Sequence, residues 1–156
     1  MLKLETPVTM IYRRDMEVAA ADISSIAGAV GEDDNSLSLD TQQVNIAQGQ
    51  WVTKDADGKA TLVTTKTPLA FCVFAAGERL DVNGLGQVTG LYGKYIGITD
   101  QVDRSTGVTY AAGDKLTVEN GLLTPATGSD PVVAVVDEVI AATNVYTDGL
   151  IKFITV

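Results

Sequence analysis

The residues of this chain that could do chemistry are few, and their spacing is the first thing to weigh. The sequence contains 0 histidines, which removes the side chain most used as a general base, proton shuttle, metal ligand or triad partner. Glycoside hydrolysis needs only two carboxylates, and 20 Asp and Glu are present. They fall, however, in turn-like clusters, Asp33-Asp34, Asp55 with Asp57, and Asp100 with Asp103, beside few aromatic residues that would form a sugar platform. Asp55-Ala-Asp57-Gly58 resembles the start of a calcium loop, but the bidentate acid expected further on is missing and Lys54 and Lys59 flank it, so a hairpin turn is expected. The single cysteine, Cys72, sits in the apolar run Leu69-Ala-Phe-Cys-Val-Phe74 and reads as a small buried residue in a strand, not a nucleophile. Gly90-Leu-Tyr-Gly-Lys94 lacks the Ser or Thr and the following helix of a phosphate loop. No catalytic residue, cofactor or metal ligand is therefore expected, and the chain reads as a non-enzyme.

What remains is contact chemistry. Trp51 and five tyrosines are present, with Tyr92 and Tyr95 close together among glycines, and such rings supply area for a partner. Arg13-Arg14 is the one basic doublet, flanked by Asp15 and Glu17, and is read as a protein contact. With 11 Lys and Arg and a net charge of −9, a phosphate-binding surface is not expected, so nucleic acid is not a direct partner. No stretch approaches the ~20 apolar residues that span a bilayer, the first residues lack a secretory pattern, and the expectation is a cytoplasmically made protein without membrane contact.

The elements that must position these residues are strands. A length of 156 residues with 46% hydrophobic and 20% charged residues fits one compact unit or two small lobes sharing a core. Abundant Gly, Thr and Val, with turn residues recurring every ~8–12 positions, predict a mainly β fold, a small barrel, tulip or sandwich built from hairpins. Residues 1–47 read as an extended N-terminal arm or edge strand over Leu2 to Tyr12, where Pro7 argues against a central strand, then one short helix and an acidic turn. Leu4, Pro7, Val8, Met10 and Tyr12 are the expected partner contacts on the arm, whose removal over residues 1–12 should leave a folded protein. The helix is expected from Asp15 on, because Met16, Ala19, Ala20, Ile23, Ile26, Ala27 and Val30 recur at three- and four-residue spacing; an Ala- and Gly-rich extended linker is the alternative.

Residues 48–156 read as the β-domain, with strands expected at residues 50–53, 60–63, 69–74, 87–91, 94–99, 108–110, 115–118, 122–124, 132–139 and 150–156. An internal echo runs through it. Gly49-Gln-Trp-Val-Thr, Asp57-Gly58, Ala60-Thr-Leu and Pro68-Leu-Ala-Phe-Cys-Val are matched in order by Gly113-Asp-Lys-Leu-Thr, Asn120-Gly121, Leu122-Leu-Thr and Pro131-Val-Val-Ala-Val-Val. Each copy, at about 49–74 and 113–139, reads as a glycine entry, a hairpin and a proline-opened apolar strand. Duplication and convergence of two hairpins both account for it.

The stretch from Ala112 through Ala126-Thr-Gly-Ser-Asp-Pro131 to Val139, with the closing Gly149-Leu-Ile-Lys-Phe-Ile-Thr-Val156, resembles the capsid decoration, or cement, proteins of tailed bacteriophages. The resemblance covers about the last 45 residues, and loosely residues 49–73. It implies a β-barrel or β-tulip protein on the capsid exterior of a virion, bound to the major capsid protein and to itself as dimer or trimer. A phage tail or fibre β-module and a carbohydrate-binding surface domain are the other readings left open.

Overall fold

The computed structural model describes residues 1–4, 11–25, 42–80 and 86–156. The fold is mainly β, two open antiparallel sheets packed in the manner of a sandwich. The six-stranded sheet has the order β1-β9-β13-β12-β10-β11: β1 Leu2–Leu4, β9 Ile96–Thr99, β10 Lys115–Glu119, β11 Leu122–Pro125, β12 Ala134–Ile140 and β13 Leu150–Thr155. The five-stranded sheet has the order β2-β8-β7-β5-β6: β2 Ile11–Glu17, β5 Trp51–Lys54, β6 Ala60–Leu62, β7 Phe71–Leu80 and β8 Gly86–Gly93. A small ribbon pairs β3 Ile23–Ser25 with β4 Gln42–Val44.

Of the two readings of the first segment the edge strand is the one found: β1 is the outer strand of the six-stranded sheet, Leu2 opposite Thr99 and Leu4 opposite Gly97, and β2 is the outer strand of the five-stranded sheet. The predicted helix from Asp15 is replaced by β2 through Glu17, one 3₁₀ turn at Ala20–Asp22 and β3; its remainder, with Ile26, Ala27 and Val30, lies outside the described residues. Pairing of β2 along its length with β8, from Ile11 opposite Gly93 to Glu17 opposite Gln87, satisfies one row of its backbone groups, and that overrides a helical spacing of small apolar residues that has little intrinsic strength. Residues 108–110 form no strand.

The internal echo extends well beyond a shared phrase. β2, β5, β6, β7 and β8 occupy the same relative places as β9, β10, β11, β12 and β13, and the matching backbone atoms make the same bonds. Gly49 N–H donates to Val73 O and Gly113 N–H to Val136 O, both at 2.8 Å. Val73 N–H donates to Gln50 O at 2.8 Å and Val136 N–H to Asp114 O at 2.9 Å. Ala47 N–H reaches Gln50 Oε1, and Ala111 N–H reaches Asp114 Oδ2, both at 2.8 Å. The register of β7 slips between Val73 and Ala75, that of β12 between Val136 and Glu138, and parallel bridges join Val18 to Ala60 and Val102 to Leu123. Gly49 at φ +89° and Gly113 at φ +91° open the two hairpins, a conformation only glycine adopts cheaply.

The two units face the same way. Val52, Ala60, Val73 and Val88 on the front of the first correspond to Leu116, Leu123, Val136 and Ile151 on the front of the second, and each set is buried. Between the sheets, Trp51, Cys72 and Leu91 on the back of the first unit close the core of the second. The front of the first is closed by Val44 and Ile46. Large side chains are exchanged between strands to keep the volume: Phe71 and Gly90 stand where the second unit has Ala134 and Phe153, as close packing requires.

Candidate functional site

The pairing of β2 with β8 sets Tyr12 directly opposite Tyr92. Their rings stack with centroids 5.0 Å apart and planes 19° apart, and Phe71 meets Tyr92 edge-on at 5.9 Å. Both tyrosines remain open to solvent, at 49% and 43% exposure. Strand alternation separates the basic doublet. Arg14 shares the Tyr12 side of β2, while Arg13 lies on the other, its guanidinium 4.6 Å from the centre of the Phe74 ring. β2 is the last strand of its sheet, so one row of its backbone N–H and C=O groups is unpaired by any other strand among the described residues.

Beside the stacked tyrosines runs a groove of about 240 Å³ on the seam between the units. Its rim carries Leu69 and Val156, both exposed. Trp51 and Tyr95 form buried parts of its lining, and the Trp51 Nε1–H has no hydrogen-bond partner among the described residues. The site thus combines apolar area, exposed rings, cations and a strand edge, which are means of holding a polypeptide.

Of the residues singled out by sequence, Tyr12, Arg14 and Tyr92 come together here, while Arg13 lies on the other side of β2 over Phe74. Tyr95 does not belong to the surface: at 3% exposure it packs edge-on to Phe153, 6.0 Å between ring centres, because Ile96 and its neighbours carry it into the core side of the seam. Leu4 packs half-buried against the shared core. Pro7, Val8 and Met10 lie outside the described residues. Leu69 and Val156 were not legible as site residues, since an isolated Leu after Pro68 or a Val ending a strand has no signal of exposure in the sequence.

The candidate chemical groups have structural employment. The Asp55 carboxylate accepts from the N–H groups of Asp57 and Lys59, each at 2.9 Å, and Gly58 takes φ +77°, which makes the segment a hairpin turn. Asp103 accepts from the Ser105 hydroxyl and N–H, which hold its carboxyl below the ordinary range. Among the described residues no three His, Cys, Asp or Glu side chains converge to hold a metal.

Cys72 lies in β7, fully buried, with its thiol 3.7 Å from Gly49 O. Burial pushes it up to about 12, so the thiolate fraction at neutral pH is negligible. The native protein is expected to leave a thiol-reactive dye unreacted at pH 8, and to react with one equivalent once denatured; rapid reaction in the native state would refute the assignment of Cys72 as packing.

The fold and the site together define a class, an antiparallel two-sheet β protein built of two like units with a solvent-facing aromatic and cationic rim. No protein-family model, curated protein or solved structure matches the chain.

Proposed function

We propose that this chain is a structural virion protein that binds the outer surface of a phage capsid and stabilises it by bridging major capsid protein subunits. The observation that carries the reading is the convergence of Tyr12, Tyr92 and Arg14 on an open strand edge beside an apolar groove, in a chain whose residues 112–139 and 149–156 are phrased like a cement protein. A rim of this kind anchors a partner through desolvated rings, with charges fixing register. A strand edge adds main-chain hydrogen bonds to an extended segment of that partner. The net charge of −9 keeps a protein made at high copy number soluble before it finds its shell.

The test is saturable co-sedimentation of purified protein with expanded empty shells of the virion that carries it. Tyr92→Ala should weaken binding about 30-fold, the loss typical of an aromatic anchor, with the unfolding midpoint little changed because the ring is exposed. Failure of the wild-type protein to bind shells, together with spontaneous growth into tubes or rings, would replace this reading with the tail-module one.

A further inference from the structure

The likeness of the two units extends to their outer edges, with one difference. In the second unit the edge of β9 is covered by β1, which runs antiparallel to it with Leu2 opposite Thr99, Lys3 opposite Ile98 and Leu4 opposite Gly97. The counterpart of β9 is β2. Gly97 stands opposite Phe153 of β13 as Arg14 stands opposite Gly90 of β8, so Thr99, Ile98 and Gly97 correspond to Met16, Asp15 and Arg14. No strand among the described residues pairs with the outer edge of β2, and its row of N–H and C=O groups is a template for one.

The side chains around that edge set what an added strand must carry. From β2 across β8 and β7 to β5, the face around the stacked rings is made by Tyr12, Arg14, Gly90, Tyr92, Phe71 and Lys54. Arg14 and Lys54 are cations and no carboxylate stands among these residues, in a chain with 20 Asp and Glu against 11 Lys and Arg. The acids next to the arginine doublet are already occupied: Asp15 accepts from the Thr89 hydroxyl at 2.6 Å, and Glu17 pairs with Lys59 at 2.9 Å. Arg14 is exposed and has neither an ion pair nor a hydrogen bond among the described residues. Arg13 projects from the other side of the same edge, over Phe74. A strand laid here as β1 lies on β9 meets, in its own direction, Met16, Asp15, Arg14, Arg13 and Tyr12.

We propose that β2 takes up an extended acidic segment of its partner as an added antiparallel strand, with successive carboxylates opposite Arg14 and Arg13 and an apolar residue opposite Tyr12. This rests on the reading of the rim as the contact to a shell subunit, and names the chemistry of the segment bound there. Main-chain bonds supply the pairing, and alternating side chains select the sequence. A carboxylate opposite Asp15 is repelled, which fixes the register on the arginine doublet. A phosphate backbone is attracted by the same cations, but arginines on opposite sides of one strand do not line a groove that tracks it.

The test titrates the isotope-labelled chain, without shells, with capped synthetic peptides and reads amide chemical shifts. The peptide Thr-Val-Lys-Glu-Glu-Val-Thr should move the amides of β2 and of Tyr92, saturate, and weaken as added salt screens the charges. The same frame with Gln-Gln or Lys-Lys at its centre should bind at least about 10-fold more weakly. Arg14→Glu should lose the glutamate peptide and gain the lysine one. The spectrum reports whether that variant is folded; if it is not, Arg14→Gln takes its place and should narrow the preference. The proposal is overturned by a glutamate peptide that produces no saturable shift or shifts amides away from β2, by equal binding of all the peptides, or by displacement of the peptide by an equimolar thymidine oligonucleotide. Co-sedimentation with shells keeps the two readings apart. Shells that bind a chain indifferent to the glutamate peptide leave the capsid reading standing and remove the acidic strand; a chain that takes the peptide but not the shells does the opposite.

Discussion

Phe153→Ala is expected to remove about 3–5 kcal/mol of folding stability, measured as the shift in urea midpoint at constant slope. The ring is fully buried, 6.1 Å from Trp51 and 6.0 Å from Tyr95 between ring centres. It fills the space in front of Gly97, where a Cβ on that residue would come within 2.5 Å of Phe153 Cζ. No neighbour can collapse into the vacancy cheaply, because Leu2 and Trp51 are held by strands of different sheets. Since Trp51 belongs to one sheet and Phe153 to the other, loss of the ring should weaken both units at once. Tryptophan fluorescence and far-ultraviolet circular dichroism should therefore report one coincident transition, in the variant as in the wild type. A change below about 1 kcal/mol, or two separated transitions, would show that the seam between the sheets is not the common core.

Much of this architecture was legible in the sequence, for a definite reason. Hairpins carry their own punctuation, and Asp57-Gly58 and Asn120-Gly121 do turn the chain where positive φ is required, Asn120 itself at φ +51°. Strands buried on both faces, such as β10 with Leu116, Thr117 and Val118 all buried, read as continuous apolar or β-branched runs. Residues 11–25 were legible only in part: an edge strand was one reading up to Tyr12, but the exposed positions of β2, Tyr12 to Asp15, show no alternation that would carry the strand on to Glu17. The 3.6-residue pattern that begins at Met16 then crosses two short elements and a turn, and so belongs to none of them. Pairing partners far along the chain decided the outcome, and no local window contains them.

The candidate site was half legible for a similar reason. Residue type announces that Tyr and Arg are suited to contact, but exposure is settled by register. Tyr92 and Tyr95 are three positions apart, yet one stacks on Tyr12 in solvent and the other enters the core, because β8 ends at Gly93 and the chain turns before β9 begins. Burial pushes the Tyr95 phenol well above its ordinary range, as a ring removed from water must be. The like facing of the two units was not foreseeable from the phrase alone; it follows from which of Cys72 and Val73, or Val135 and Val136, points to the seam.

Deleting residues 1–12 should cost more than attachment: the protein is expected to lose at least the ~2–5 kcal/mol of an emptied leucine site, with a fall in thermal midpoint to match. Leu2 is buried against the shared core, its side chain 3.1 Å from the Cβ that Gly97 lacks. β1 covers the edge of β9 with the pairs Leu2–Thr99, Lys3–Ile98 and Leu4–Gly97. The Met1 ammonium meets Asp100 at 2.7 Å, and the Thr99 hydroxyl donates to Met1 O at 2.9 Å. Removing these groups exposes β9 as a fresh edge and opens the pocket around Phe153. The same deletion takes Ile11 and Tyr12 from β2, so the stacked pair on the rim is lost as well. The two effects separate by comparison with Tyr12→Ala, which should disturb the rim alone. A truncated protein as stable as the full chain would restore the reading of these residues as a detachable arm; a destabilised one makes them the strand that closes the second unit.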